Sequence, residues 1–572
     1  MANFSEKANF IWTVADDLLR GSFKAHEYGD VILPFVVLRR LDLVLQPKKD
    51  AVLADFKQFN PRLSEEALDP ILKLAAGGIN FYNHSEYDLF RLKQDPANIA
   101  INFNQYVQGY SKNVREIIDN FQLDRTLEKL TKNKLLYKLV EKFAEVDLSP
   151  ANVNNHEMGY IFEELLRRFS EMSNETAGEH YTPREVIRLM VSLMFAEHKA
   201  DLQTPGLIRS VYDPACGTGG MLITARDYIL EQINPNLELT LHGQELNPQT
   251  FAIARSDVLI LGGQADEIKN GNSFTEDRFK GKRFNYMLSN PPFGVSWKKE
   301  EDFILNEAGQ VNGRFSVGTP RSSDGALMFL QHMISKMEPS GSRVAIIFNG
   351  SPLFTGDAGS GESNIRKWII ENDWLEAIVA MPTEMFYNTG ISTYIWLVSN
   401  QKSEKRKGKV QLINAVEMAA PMRKSLGNKR KEFKEEHIVG ITKLFSDFAE
   451  SKQSKIFDNA DFGYTKVTVE RPLLDKKGKV LREKDGKPKA DGSLRDFEKV
   501  ALKEDIEAYF EREVKPHVPD AWMDRSKDKV GYEISFTKFF YEYQALRSLE
   551  QIKADILALE AETEGLLGEI LD

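Results

Sequence analysis

Residues Val211–Gly220 read VYDPACGTGG, and the apolar stretch MLITARDYILEQI follows at 221–233. The pattern predicts a strand that stops at a glycine-rich turn and feeds directly into a helix. Glycine allows a sharp turn and a close approach of a ligand to the main chain. The first turn of the helix offers N–H groups with no partner inside the helix. A plain strand–helix turn can be written the same way, so the flanking sequence has to decide. The strict dinucleotide pattern is not met and GxxxxGK[ST] occurs nowhere, which argues against a nucleotide-driven motor.

On both sides of this turn the chain alternates. Short apolar runs predict strands in SVYDP, LTLHGQEL, FNYMLSNPP, RVAIIFNG, LEAIVAMP and STYIWLVSN. Helical periodicity lies between them, at Met221–Ile233, Gln249–Leu261, Ala326–Met337 and Asn364–Asn372. Such alternation predicts a mostly parallel α/β sheet covered on both faces, over residues 151–400. The last two strands, joined by TEMFYNTGI, are expected to form an antiparallel hairpin at one edge. Residues 1–150 carry apolar residues at three- and four-residue spacing around Ile11–Leu19, Ile32–Leu45, Val114–Phe121 and Leu127–Phe143, which predicts a helical domain. Residues 401–572 form a third, mostly helical region that contains a basic segment and a long terminal helix. No internal repeat of fixed period is evident.

Composition narrows the class. Of 572 residues, 42% are hydrophobic and 28% charged, an ordinary globular balance. The apolar run VILPFVVLRRLDLVL is interrupted by Arg39, Arg40 and Asp42, so no membrane span is expected, and the charged start predicts a cytoplasmic protein. One cysteine excludes an internal disulfide framework, and the nine histidines show no metal-ligand spacing, so no metal is implied. The net charge of −10 argues against uniform wrapping by nucleic acid but leaves room for a local basic groove. QKSEKRKGK (401–409) and MRKSLGNKRKEF (422–433) are the basic candidates, either solvated linker or phosphate contact.

The chemistry-bearing residues follow from the predicted sheet. Glu245 closes the strand after the glycine turn, where doubly wound folds place an acid for ribose hydroxyls. Asn272 follows the next helix and is a candidate for an adenine contact, with a surface role equally open. The strand FNYMLS ends on Asn290-Pro291-Pro292-Phe293. Two prolines fix the backbone, so the Asn290 side-chain oxygen and the Pro291 carbonyl can accept from a single –NH₂ group while Phe293 stacks on the ring that carries it. Such a clamp suits an amine held as a nucleophile towards an electrophilic methyl group.

DPACGTGG followed by NPPF resembles the amino-methyltransferases that use S-adenosylmethionine. With GEHYTPREVIRLMV (178–191), MRKSLGNKRKEF, GYEISFTKFFYEY and the N-terminal IWTVADDLLRGSFKAHEYGDVILPFVVLRRLD, nearly the whole chain resembles the modification subunit of type I restriction–modification systems. The resemblance implies a Rossmann-like methyltransferase core whose cofactor is S-adenosylmethionine and whose reaction is transfer of a methyl group to N6 of an adenine flipped out of duplex DNA. It implies a catalytic Asn290, Pro291, Pro292 and Phe293. The cofactor would be lined by Glu179, His180, Tyr181, Thr182, Pro183 and Arg184, by Asp213, Gly217, Thr218, Gly219 and Gly220, and by Glu245 and Asn272. His180 and the charged insert near 474–492 depart from the family pattern, and the resemblance assigns the insert no role. Implied partners are double-stranded DNA, a specificity subunit shared by two such chains, and the restriction/translocase subunit. Cys216 sits inside the cofactor turn, so it is expected to pack there. It is not read as the nucleophile that cytosine-C5 methylation requires.

Two other readings remain. The same clamp could serve another amine, such as cytosine N4, an RNA guanine or a protein glutamine, or the fold could be an inactive binding scaffold. At the C-terminus Leu549, Ile552, Ile556, Leu559, Leu566 and Ile570 form an apolar stripe. It is either the face of an internal core helix or a seat for the specificity subunit.

Overall fold

The computed structural model describes residues 2–173, 182–197, 201–387, 389–541 and 548–559. The chain divides into two units, Met1–Ile534 and Ser535–Asp572. In the first, the main sheet takes up β1 (Ile208–Asp213), β2 (Glu238–Glu245), β3 (Ile268–Asn270), β4 (Tyr286–Ser289), β5 (Arg343–Asn349), β6 (Leu375–Ala380), β7 (Thr393–Ser399) and β8 (Lys409–Asn414). The strands β9 (Ala420–Leu426) and β10 (Lys429–Glu432) form a separate hairpin, and β11 (Ser454–Asp458) returns to the main sheet. The order across it is β11-β8-β6-β7-β5-β4-β1-β2-β3.

Strands β3, β2, β1, β4 and β5 run parallel, whereas β7 is antiparallel to both β5 and β6. All residues of β4 and β6 are buried, as expected of central strands with helices on both faces. The chain winds from β1 outward to β2 and β3, then crosses back to β4. The strand order reverses between β1 and β4, and in open α/β sheets the crevice for ligands opens at the carboxyl ends there.

Three expectations need correction, and two details were not predicted. The β6–β7 hairpin is antiparallel as expected but lies inside the sheet, because β7 inserts between β5 and β6 while β8 and β11 continue beyond. The sheet therefore runs past residue 400. The region after 401 is not mostly helical: it holds β8 to β11 and four further strands, with Glu435–Asp447 its longest helix among the described residues. The pattern Leu127–Phe143 is two helices, Leu123–Lys132 and Leu136–Glu145, separated where Lys134 takes a left-handed φ of 57°. The three-residue strand β3 carries too short an apolar run to signal itself.

A third, smaller sheet consists of β12 (Gly463–Glu470) paired antiparallel with β13 (Asp496–Ala501), β14 (Trp522–Met523) and β15 (Lys529–Tyr532). Arg366, with no exposed surface, ties this sheet to the main one. It donates to the carbonyls of Tyr532 (2.7 Å), Pro352 (3.0 Å), Thr355 (2.8 Å) and Gly356 (3.0 Å). The N-terminal region is helical as expected, and its core reaches across into the sheet layer. The helix Pro248–Ile260 places Ala252, Ile253 and Leu259 in the N-terminal core, and Phe251, Ala254 and Val258 in the core under the sheet. Among the described residues no helix is long and apolar enough to cross a membrane.

Candidate active site

The turn after β1 is held from three directions. Asp213, 1% exposed, accepts hydrogen bonds from the Ala215 N–H (2.9 Å) and the Ser289 hydroxyl (2.9 Å), which joins the ends of β1 and β4. The Cys216 N–H donates to the Gln244 carbonyl (3.1 Å), and the Gly217 N–H to Glu245 Oε2 (2.9 Å), which joins the turn to β2. Gly217 and Gly219 have φ of 54° and 82°, values that favour glycine. A Cβ at Gly217 would meet nothing within 4 Å, so the turn presents bare backbone to open space. Gly219 packs closely instead: its Cβ would stand 3.4 Å from that of Ala254. The Cys216 thiol is buried against Gly243, where a Cβ would come within 2.8 Å of Sγ. Burial pushes its pKa up, so it is a packing group in a place where only a small side chain fits.

Glu245 Oε1 accepts from the Asn247 N–H (2.8 Å) while Oε2 holds Gly217. The carboxylate is thereby fixed beside the turn at the rim of a cavity of about 570 Å³. Pro214, Gly217, Glu245, Asn272, Asn290 and Pro292 contribute to its wall, and Phe274, Trp297 and Phe329 supply flat apolar surface. A second, narrower cavity is lined by Glu163, Thr182, Asp213, Thr218, Gly220 and Asn290. The two share Ala215, Gly217 and Asn290. Asn290 thus stands at their junction, one residue past β4, and its amide nitrogen donates to Thr182 Oγ1 (2.8 Å). With the donor end of the amide held there, the acceptor oxygen has a set direction.

Other expected residues take different positions. Arg184 is 5% exposed and lies inside the fold. It pairs with Glu163 (2.8 Å) and donates to the Gly220 carbonyl (3.1 Å) and Thr224 Oγ1 (3.3 Å), so it fixes the helix behind the glycine turn. Pro183 immediately precedes the helix Arg184–Phe195. Asn272 lines the cavity, but its amide also builds the wall: Oδ1 accepts from the Phe274 N–H (2.9 Å) and Nδ2 donates to Glu300 (3.1 Å). Phe293 is half-buried and packs against the core beneath the sheet, and Pro291 is buried, so Asn290 and Pro292 represent the tetrad at the cavity wall. Glu179, His180 and Tyr181 lie outside the described residues.

Sequence reasoning missed Glu163, Phe274, Trp297 and Arg314. Arg314 pairs with Glu307 (2.6 Å) and donates to the Ser273 carbonyl (2.8 Å) and His332 Nδ1 (2.8 Å), which holds the aromatic wall loop. Because arginine can only donate, His332 accepts at Nδ1 and donates from Nε2 to the Tyr212 hydroxyl (2.9 Å). Burial keeps that imidazole neutral. The only signal for Trp297 was its place four residues after Phe293. Glu163 lies on a distant helix and gave none.

Burial also pushes the Asp213 carboxyl up to about 7 from 3.8, with the Glu245 charge adding to the effect. The folded chain therefore keeps this proton longer than the unfolded chain. Stability from the group is full below pH 3.8 and is lost as the pH rises towards 7. Asp213→Asn retains an acceptor and removes the titration. The stability difference between variant and wild type is expected to grow in the variant's favour from pH 4 to 7 by roughly a few kcal/mol, then level off. Urea melts of both chains across that range measure it, and a difference independent of pH would refute the assignment.

The cavities can be set beside known proteins. The family model described as N-6 DNA Methylase matches residues 153–468, and that described as HsdM N-terminal domain matches residues 7–143. The chain is 27% identical over 492 residues to the type I restriction enzyme MjaIX methylase subunit of Methanocaldococcus jannaschii, covering 83% of each chain. It is 32% identical over 260 residues to the HindI methylase subunit of Haemophilus influenzae, a match that covers 45% of this chain and spans about half (54%) of that relative. The solved structure of a type I restriction–modification methyltransferase subunit from Streptococcus thermophilus shares the fold. Its TM-score is 0.62 at 20% identity, over 80% of this chain and 97% of that one.

Proposed function

The chain belongs to the N-6 DNA methylase family, as an adenine-specific DNA methyltransferase of the type I restriction–modification class, and from that premise we propose how its cavities divide the work. S-adenosylmethionine fits the donor set. The wide cavity offers Glu245 and aromatic walls for a nucleoside, the narrow one offers Asp213, Glu163 and the glycine turn for a charged amino acid tail, and bare backbone lies between them. When bound, the cofactor supplies an electrophilic methyl group. Glu245 would accept from ribose hydroxyls, Gly217 and Thr218 would give close backbone approach, and Trp297 and Phe274 would exclude water. Asn290 would accept a hydrogen bond from the N6 amine of a flipped adenine and turn the nitrogen lone pair towards the methyl group. The observation that carries this reading is the position of Asn290 where both cavities meet, with its amide oriented by Thr182.

Sequence choice belongs in this reading to a specificity subunit, and the C-terminal stripe is the proposed seat. Residues 549–559 are helical, with Leu549 85% and Ile556 58% exposed, which favours a partner over an internal core; Leu566 and Ile570 lie outside the described residues. Co-expression with a candidate specificity subunit, followed by genome-wide mapping of N6-methyladenine, tests both points. The full chain should mark every copy of one sequence. A chain ending at Gln544 should still bind S-adenosylmethionine but lose co-purification and the mark. Absence of N6-methyladenine with the full chain would overturn the activity, and intact assembly after truncation would overturn the docking role.

A further inference from the structure

Residues 471–495, between β12 and β13, correct the expectation that the chain has no repeat. RPLLDKKG (471–478), KVLREKDG (479–486) and KPKADGSL (487–494) are three eight-residue units. The backbones of their third residues close a ring: the Leu473 N–H donates to Lys489 O (2.8 Å), Lys489 N–H to Leu481 O (2.8 Å), and Leu481 N–H to Leu473 O (2.9 Å). Bridges pair Pro472 with Ala490, Leu474 with Val480 and Arg482 with Pro488. Two of the turns end on glycines with left-handed φ, Gly478 at 78° and Gly486 at 85°. The insert is therefore a three-arm module closed by a central ring of backbone hydrogen bonds, unlike a solvated linker.

Its charge is sorted by the same geometry. Eight basic and four acidic side chains lie between Arg471 and Leu494, a local excess of four positive charges in a chain whose net charge is −10. Three of the acids are folded into the turns. Asp475 accepts from the Lys477 and Lys479 N–H groups (2.8 and 2.9 Å), Asp485 from Lys487 (3.1 Å) and Asp491 from Ser493 (2.9 Å). Lys476, Lys477, Lys484 and Lys489 are exposed.

The mounting places the module's parent sheet at the edge where the cavities open. Strand β15 packs on the helix Gly361–Glu371, and Arg366 of that helix binds the segment that leaves the carboxyl end of β5, next to β4. Arg321 extends the connection to the cavity wall. Its carbonyl accepts from Trp297 Nε1 (3.0 Å), its N–H donates to Glu362 (2.9 Å) and its side chain to Ser351 (3.0 Å).

We propose that the three-arm module grips the phosphate backbone of duplex DNA flanking the flipped base that Asn290 orients. The proposal rests on the DNA-methylating reading above and adds a contact surface outside the site. A protein partner fits less well. Protein interfaces are depleted in lysine and depend on desolvated aromatic or apolar anchors, whereas this surface is lysine-rich, with no aromatic residue and with Leu474, Leu481 and Leu494 half-exposed. Phosphates are neutralised by such exposed ammonium groups.

The test uses the full chain with Lys476, Lys477, Lys484 and Lys489 all changed to Gln, and a companion with the same four changed to Arg. Binding to a labelled mixed-sequence duplex of about 40 base pairs is titrated across a salt series. The Gln variant should bind roughly tenfold or more weakly at 0.1 M salt, with the slope of log Kd against log salt shallower by about three. S-adenosylmethionine affinity and the rate at saturating duplex should be unchanged, and the Arg variant should restore binding. An unchanged slope in the Gln variant, while wild type methylates duplex, would overturn this proposal alone. Unchanged duplex affinity with lost co-purification of the specificity subunit would overturn it by assigning the module to an acidic protein surface. A wild-type complex that methylates no duplex would overturn the underlying reading and the grip with it.

Discussion

Asn290→Ala is expected to lower methyl transfer at least about a hundredfold while S-adenosylmethionine affinity stays near wild type. The asymmetry comes from where the residue stands. Asn290 is one residue past β4, anchored through its amide nitrogen to Thr182, and it touches both cavities only at their junction. The groups assigned to the cofactor, Glu245 and the glycine turn, are held by their own hydrogen bonds and need nothing from Asn290. The substitution removes the acceptor that orients an amine and leaves the donor pocket standing. Thr182→Val checks the positioning. It keeps Asn290 but frees the amide to rotate, so it should lose less rate than Asn290→Ala; because Thr182 also lines the narrow cavity, its cofactor affinity has to be measured beside the rate. Single-turnover rates beside calorimetric affinities separate the two effects. Wild-type turnover in Asn290→Ala would overturn the clamp, and an equal loss of cofactor affinity would move the residue into the cofactor site.

The second large effect is expected at Gly219, where Val should weaken S-adenosylmethionine binding by about tenfold or more. The residue sits at φ 82° immediately before the helix Gly220–Gln232, and its missing Cβ faces Ala254 at 3.4 Å. A non-glycine residue there costs about 1–2 kcal/mol, more when β-branched. Relief can come only by moving the turn that carries Gly217 and Thr218. The neighbouring helix Pro248–Ile260 cannot yield easily, since it is packed on both faces. Gly219→Ala should be milder because it lacks the branched carbons. Circular dichroism and a thermal melt guard against the trivial outcome, and a folded Gly219→Val with full affinity would put the cofactor elsewhere.

Much of this was legible because the informative segments are short and strongly marked. VYDPACGTGG, LTLHGQEL and FNYMLSNPP became β1, β2 and β4, and their ends converge on one crevice. The misses have physical causes. QKSEKRKGK looked like a solvated boundary, yet Arg406 within it is fully buried, paired with Glu197 (2.9 Å) and stacked on Phe445 (3.9 Å), and β8 follows at once. Arg184 follows a motif that points to a ligand, but its charge is used internally because Glu163 arrives from a distant helix. The eight-residue repeat keeps a backbone plan while its side chains drift, so a search for similar residues passes over it. Phe293 keeps its expected place at the end of β4, and its half-buried contact with the core beneath the sheet is a detail that only the packed structure supplies.

The helix Pro248–Ile260 has a consequence for inheritance. It begins at Asn247, next to the Glu245 loop, and lends one face to each of two cores. A substitution at Ala252 or Ile253 must therefore be accommodated by helices more than a hundred residues away in the chain, while one at Ala254 is felt by the glycine turn. The N-terminal region is not a cassette that recombination can exchange at residue 150. A viable chimera between relatives would have to carry this helix along with the donor's first 150 residues, and with it Pro248 and Thr250 of the wide cavity's wall.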